Sequence, residues 1–77
     1  MELVLTRHAK LAVERRGIKR VWLRQLVHRP DSTAQGDRFR TEIWRLSVEE
    51  LGGRTLVAII RPTRRKLRLV TAYLEGA

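Results

Sequence analysis

Residues Leu5 to Pro30 read LTRHAKLAVERRGIKRVWLRQLVHRP. From His8 to Arg16 there is no Gly or Pro, and Ala, Leu, Glu, Lys and Arg dominate, residues that lose little side-chain freedom in a helix. Thr6 stands where a hydroxyl caps a first helical turn. Gly17 suits the left-handed residue that ends a helix, and Arg15 and Arg16 suit the negative end of its dipole. A second periodic run begins at Ile18. At ~100° per residue Ile18, Val21, Trp22 and Leu26 gather on one side with Leu23 at the margin, while Arg20, Arg24 and His28 form a basic stripe opposite. Pro30 biases Arg29 out of the helical region, so this helix ends near His28 or Arg29. The stretch is therefore a pair of short helices over residues 7–29 with almost no loop between them. Each has an apolar side that needs a surface to cover.

That surface comes from the flanks. Residues 2–6 (ELVLT) are apolar and partly β-branched, as in a first strand. Residues 30–37 (PDSTAQGD) are turn formers and read as a loop. From Arg38 to Leu46 the alternation separates Phe39, Thr41 and Ile43 from Arg38, Arg40, Glu42 and Trp44, which predicts a strand. SVEELGGR (47–54) is a connection with room for a brief helical turn. TLVAII (55–60) is a continuous apolar run, the mark of a strand in the middle of a sheet. RPTRRK (61–66) is a basic turn, LRLVTAYL (67–74) alternates again as a last strand, and the Gly76-Ala77 tail is expected to fray. The order is β-α-α-β-β-β. Consecutive strands with short links imply an antiparallel meander over residues 37–74, with the first strand at one edge or alongside. The expected fold is α+β: one two-layer domain over 1–77, the helical pair packed on an antiparallel sheet.

With 77 residues there is room for one modest core, and a partner subunit is a natural source of extra stability, so a homo-oligomer is among the expectations. The absence of cysteine excludes disulfides and Cys-based zinc sites, and two histidines twenty residues apart make a poor structural metal site. No nucleotide-binding loop or nucleophile elbow is present, so neither metal nor cofactor is expected. The formal net charge is +9, and 14 of the 17 basic residues are Arg, whose planar fork matches phosphate. Such a surplus points to an anionic partner, whether nucleic acid, an acidic protein or a membrane surface, although charge also serves solubility. No apolar run approaches the ~20 residues that span a bilayer, and the N-terminus lacks the features of a secretion signal. The expected location is the cytoplasm, away from membranes.

Two groups of residues can carry chemistry. On the first helix, with His8 at zero, Arg15 falls near −20°, Ala12 near 40° and Arg16 near 80°, inside an apolar arc running from Leu11 to Val13. His8, Arg15 and Arg16 are thus expected to turn toward the sheet. There they either hydrogen-bond it and snorkel past the helix edge, or rim a phosphate groove in which His8 transfers protons near neutral pH. On the strands, Arg38, Arg40 and Glu42 share one face, and Arg61, Arg64, Arg65 and Arg68 crowd the last hairpin. Metal-free RNA cleavage needs a base for the 2′-hydroxyl, an acid for the leaving oxygen and cations for the charge growing on phosphate. Glu42 or His8 can serve as base and Tyr73 or His8 as acid. Arg40, Arg61 or Arg68 can act as clamps, and each is equally compatible with a solvated sheet surface. Trp44 can stack an unpaired base or fill a half-buried core position.

The series His8-Ala9, Arg16-Gly17-Ile18, Pro30-Asp31 and Val70-Thr71-Ala72-Tyr73 resembles a small bacterial domain family of uncharacterised function. That family is allied to the BrnT-type and RelE-like toxins of toxin–antitoxin modules, and the likeness covers about residues 3–74. The resemblance implies the same order of strand, helical pair and meander. It further implies a toxin-like, metal-independent RNA endonuclease or a degenerate relative of one, held by a cognate acidic antitoxin. His8, Arg16 and Tyr73 match the family pattern without an assigned role. The alternative is a non-catalytic basic module that binds nucleic acid or an acidic protein.

Overall fold

The computed structural model describes residues 1–76. Its elements are β1 (Glu2–Leu5), α1 (Arg7–Arg15), α2 (Arg20–His28), β2 (Ser32–Gln35), β3 (Glu42–Val48), a 3-10 turn (Glu49–Leu51), β4 (Arg54–Pro62) and β5 (Lys66–Glu75). The helical pair is punctuated as its residues dictate. Thr6 Oγ1 accepts a hydrogen bond from Ala9 N at 3.1 Å, and Gly17 takes φ +64°, so α1 ends where a side chain would be strained. Neither helix is long and apolar enough to cross a membrane.

The five strands form one sheet in the order β1-β5-β4-β3-β2. It is mixed rather than antiparallel. β1 runs parallel to β5, with Leu3 opposite Leu67 and Leu5 opposite Leu69, and every other pairing is antiparallel. The two intervening helices supply the crossover that a parallel neighbour requires. The expected loop at 30–37 also contains a strand. Asp31 N donates to Arg45 O at 2.8 Å, and the Asp31 carboxylate accepts from Ser47 N at 2.6 Å. This double clamp lays Ser32–Gln35 along β3 although Ser, Ala and Gln have little strand preference. The next strand accordingly starts at Glu42, and Arg38, Phe39 and Arg40 belong to the turn before it.

One face of the sheet and the helices share a single core. Ala9 and Val13 of α1, Ile18, and Trp22, Leu23 and Leu26 of α2 meet Leu56, Ala58 and Ile60 of β4 and Leu67, Leu69 and Ala72 of β5. β4 is the middle strand, as its apolar run predicts. The helical arcs are rotated from those expected. In α1 the buried side is Ala9, Ala12 and Val13, and Leu11 is 45% exposed, so Arg15 faces solvent. In α2, Leu23 is buried and Val21 is exposed. The Gly76 carbonyl accepts from Arg54 Nε at 3.2 Å instead of fraying, and Ala77 lies outside the described residues.

α2 is tied at its start to the 3-10 turn. Glu50 accepts from Trp22 Nε1 at 3.3 Å and pairs with Lys19 Nζ at 3.3 Å. The bond from Trp22, followed by the bond and charge of Lys19, holds the Glu50 carboxyl below its ordinary range. A carboxylate depressed in the folded state stabilises the protein above its unfolded-state value and loses that contribution as pH falls through the folded-state value. Replacing Glu50 with Gln should therefore lower Tm at pH 7. The gap between the two proteins should close below roughly pH 4, the ordinary glutamate range. Thermal melts followed by circular dichroism from pH 7 to pH 2.5 measure it.

Candidate nucleic-acid interface

The sheet face away from the helices presents Arg45, Arg61 and Arg68. Cross-strand register places Ile43, Arg45 and Ser47 of β3 beside Ile59, Val57 and Thr55 of β4, with Arg61 further along the same face of β4. Arg68, Thr71 and Tyr73 of β5 continue the same face. Val57 is fully buried at its centre, between Arg45 and Tyr73, and Arg45 reaches Glu75 at 4.0 Å. This end of the face is therefore closed by its own side chains.

The other end opens into a cleft of about 530 Å³, with an apolar floor of Ile43, Ile59 and Val70. Three separate segments rim it. The start of α1 contributes Thr6 and His8, the turn after β2 contributes Asp37 and Arg38, and the strands contribute Arg61 and Thr71. The positive end of α1's dipole lies on that side.

Local structure explains how these residues meet. The β4–β5 register shifts between Ile59 and Ile60, which lie opposite Thr71 and Leu69, so Val70 is the extra residue of a bulge. The simple alternation expected for residues 67–74 is broken there. Leu67 and Leu69 face the core before the bulge, Ala72 and Leu74 after it, and Val70 and Thr71 turn to the cleft. β1 ends at Leu5, leaving the later part of β5 without a strand on that side. Arg16 fills the gap, with Nη1 donating to Ala72 O at 2.7 Å and to Thr71 Oγ1 at 3.3 Å. Its guanidinium thus satisfies a sheet carbonyl from the helix edge.

The turn at 36–41 is equally well held. Gly36 N donates to Thr41 O at 2.8 Å, and Thr41 N donates to Arg38 O at 3.1 Å. Thr41 Oγ1 also donates to Arg38 O, at 2.6 Å, and Thr41 is the one buried polar residue among those described. A Cβ on Gly36 would strike the Thr41 hydroxyl, so the close crossing of the two chain segments requires glycine. Asp37 and Arg38 are presented by a fixed backbone.

The residues singled out from sequence divide accordingly. His8, Arg38 and Arg61 line the cleft. Arg68 lies directly opposite Arg61 across β4 and β5, and Arg64 and Arg65 occupy the turn joining those strands. Glu42 does not join them. It pairs with Ile60 on the helix-side face and accepts from Trp44 Nε1 at 2.8 Å, so the expected common face of Arg38, Arg40 and Glu42 is absent. Trp44 packs half-buried against the core. Tyr73 is on the open face but outside the cleft lining. Asp37 and Thr71 were missed as site residues, because a loop aspartate and a strand threonine carry no signal until the turn and the bulge are placed. Among the described residues no three His, Asp or Glu side chains gather as metal ligands would.

Arg61 and Arg68 carry like charges at directly opposed positions, an arrangement that costs stability. Among the described residues neither is paired with a carboxylate. An anion lying between them relieves that repulsion, and a phosphate fits two guanidinium forks.

Residues 5–74 match the family described as "Domain of unknown function (DUF4258)". Neither a curated protein nor a solved structure matches the chain.

Two stability measurements follow from this geometry. Arg16→Ala leaves the Ala72 carbonyl without its partner and should cost about 1–3 kcal/mol in urea unfolding. Arg15→Ala, on the solvent side, should stay within about 0.5 kcal/mol. Arg68→Ala should raise Tm at low ionic strength by relieving the opposed charges, and the gain should fade in 0.5 M salt.

Proposed function

The chain belongs to the DUF4258 family, and from that premise together with the cationic cleft we propose a metal-independent RNA endonuclease of the toxin-like kind. In this reading it is kin to the BrnT-type and RelE-like toxins and acts on the open face of its sheet. The observation that carries it is the meeting of His8, Asp37, Arg38 and Arg61 around one cleft, beside Arg68, which has no carboxylate partner among the described residues.

The chemistry uses groups within that lining. The Asp37 carboxylate accepts the proton of an RNA 2′-hydroxyl, and the freed oxygen attacks the adjacent phosphorus. His8 serves as the acid and donates a proton to the departing 5′-oxygen, so the products are a 2′,3′-cyclic phosphate and a 5′-hydroxyl end. Arg61 and Arg38 balance the negative charge that grows on the nonbridging oxygens. Glu42, on the opposite face, takes no part, and Tyr73 contacts the strand beyond the cleft. Arg64, Arg65 and Arg68 extend the phosphate track along the last hairpin. Arg40 stands on the far side of the 36–41 turn, beside Glu42 in a separate shallow depression. An acidic antitoxin that covers the open face would compete with RNA for the same arginines and silence the site.

Incubation with single-stranded RNA in excess EDTA tests this reading. We expect cyclic-phosphate products, and a rate reduced about 10²–10⁴-fold by His8→Ala. Arg61→Ala should reduce both the rate and the salt dependence of binding. RNA that is bound with a steep salt dependence yet stays intact would assign the face to binding alone. Affinity indifferent to salt would remove nucleic acid from consideration.

A further inference from the structure

Phe39 is 81% exposed, the most exposed large apolar side chain among the described residues. Its position is not a matter of slack. The turn that carries it is closed by the three hydrogen bonds between Gly36, Arg38 and Thr41, and the Thr41 side chain is buried beneath it. Arg40 follows at φ +62°, a backbone conformation that a residue with a Cβ seldom adopts. Its guanidinium carbon lies 5.0 Å from the centroid of the Phe39 ring. A turn closed by hydrogen bonds thus lifts one aromatic ring into solvent, with a guanidinium on the ring and Arg38 lining the cleft.

We propose that Phe39 and Arg40 form a stacking clamp for an unpaired base of single-stranded RNA, whose backbone continues past Arg38 into the cleft. The proposal rests on the RNA reading above and specifies its substrate as unpaired strand. A nucleobase offers the flat face that an isolated ring can hold, and cations on both sides of the ring meet the flanking phosphates. In a duplex those faces are already stacked, so the clamp selects single strands or loops. A protein contact would set the ring in a wider apolar patch. Here its chain neighbours on both sides are arginines.

The test is fluorescence anisotropy with a labelled 2′-O-methyl oligonucleotide of roughly ten nucleotides, within the usual site size and resistant to cleavage. A strand of the same length and charge with abasic positions serves as its control. Phe39→Ala should weaken binding of the base-bearing strand about 5- to 150-fold, the value of one stacked base. It should leave the salt dependence and binding of the abasic strand unchanged. Phe39→Trp should retain affinity, Phe39→Leu should not, and all three variants should melt like the parent protein. If Phe39→Ala or Phe39→Leu binds the base-bearing strand as tightly as the parent, stacking is overturned while phosphate binding stands, and the tip is left to a protein partner. If the parent protein itself shows no salt-dependent binding to either strand, the RNA reading falls and the clamp falls with it.

Discussion

β5 has to serve two faces and two kinds of neighbour, and one extra residue lets it do so. Up to Leu69 it pairs in parallel with β1 and sends Leu67 and Leu69 into the core. Side chains alternate with period two, so without an insertion Thr71 and Tyr73 would follow them inward and Ala72 and Leu74 would face solvent. The bulge at Val70 reverses the parity. At the same level β1 gives way to α1, with Thr6 N donating to Leu69 O at 3.3 Å. The change of neighbour, the change of parity and the mouth of the cleft therefore coincide, and His8 meets Thr71 because of it.

Around that point the two faces divide the work. The helix side is apolar and continuous from Leu3 to Leu74. Its polar attachments include Glu50 on Trp22 and Lys19, Glu42 on Trp44, Asp31 on Ser47, and Arg16 on Ala72. The open side keeps Val57 covered at one end and, among the described residues, leaves Arg61 and Arg68 without a carboxylate partner at the other. Rigid elements position every rim residue of the cleft, through a capped helix start, a bulged strand and a turn locked by Thr41. Anchoring of this kind suits a site that must hold charge in place rather than rearrange around it.

Several of the residues in the recognisable series turn out to be architectural. Gly17 ends α1, Ile18 fills the core, Asp31 clamps β2 to β3, and Arg16 closes the exposed part of β5. His8 and Thr71 instead face the cleft. One short pattern thus mixes fold and surface, and residue type alone does not separate them. An arginine satisfying a carbonyl and an arginine lining an open cleft read alike in sequence.

The helical pair, its caps, the central apolar strand and the basic last hairpin were legible in the chain itself, since each depends on local periodicity and on residues whose own conformational limits set the boundaries. Gly17, Thr6 and Pro30 punctuate through φ, a hydroxyl and a ring, all of which are local properties. The parallel seat of β1, the strand character of Ser32–Gln35, the parity switch at Val70 and the separation of Glu42 from Arg61 were decided only by tertiary structure. Each follows from a bond or pairing between residues distant in sequence. The Asp31 carboxylate on Ser47, the Leu5–Leu69 register and the single inserted residue opposite Ile59 and Ile60 have no local signature. Composition could announce a cationic protein. Only the folded sheet determined which of its cations stand around a common cleft.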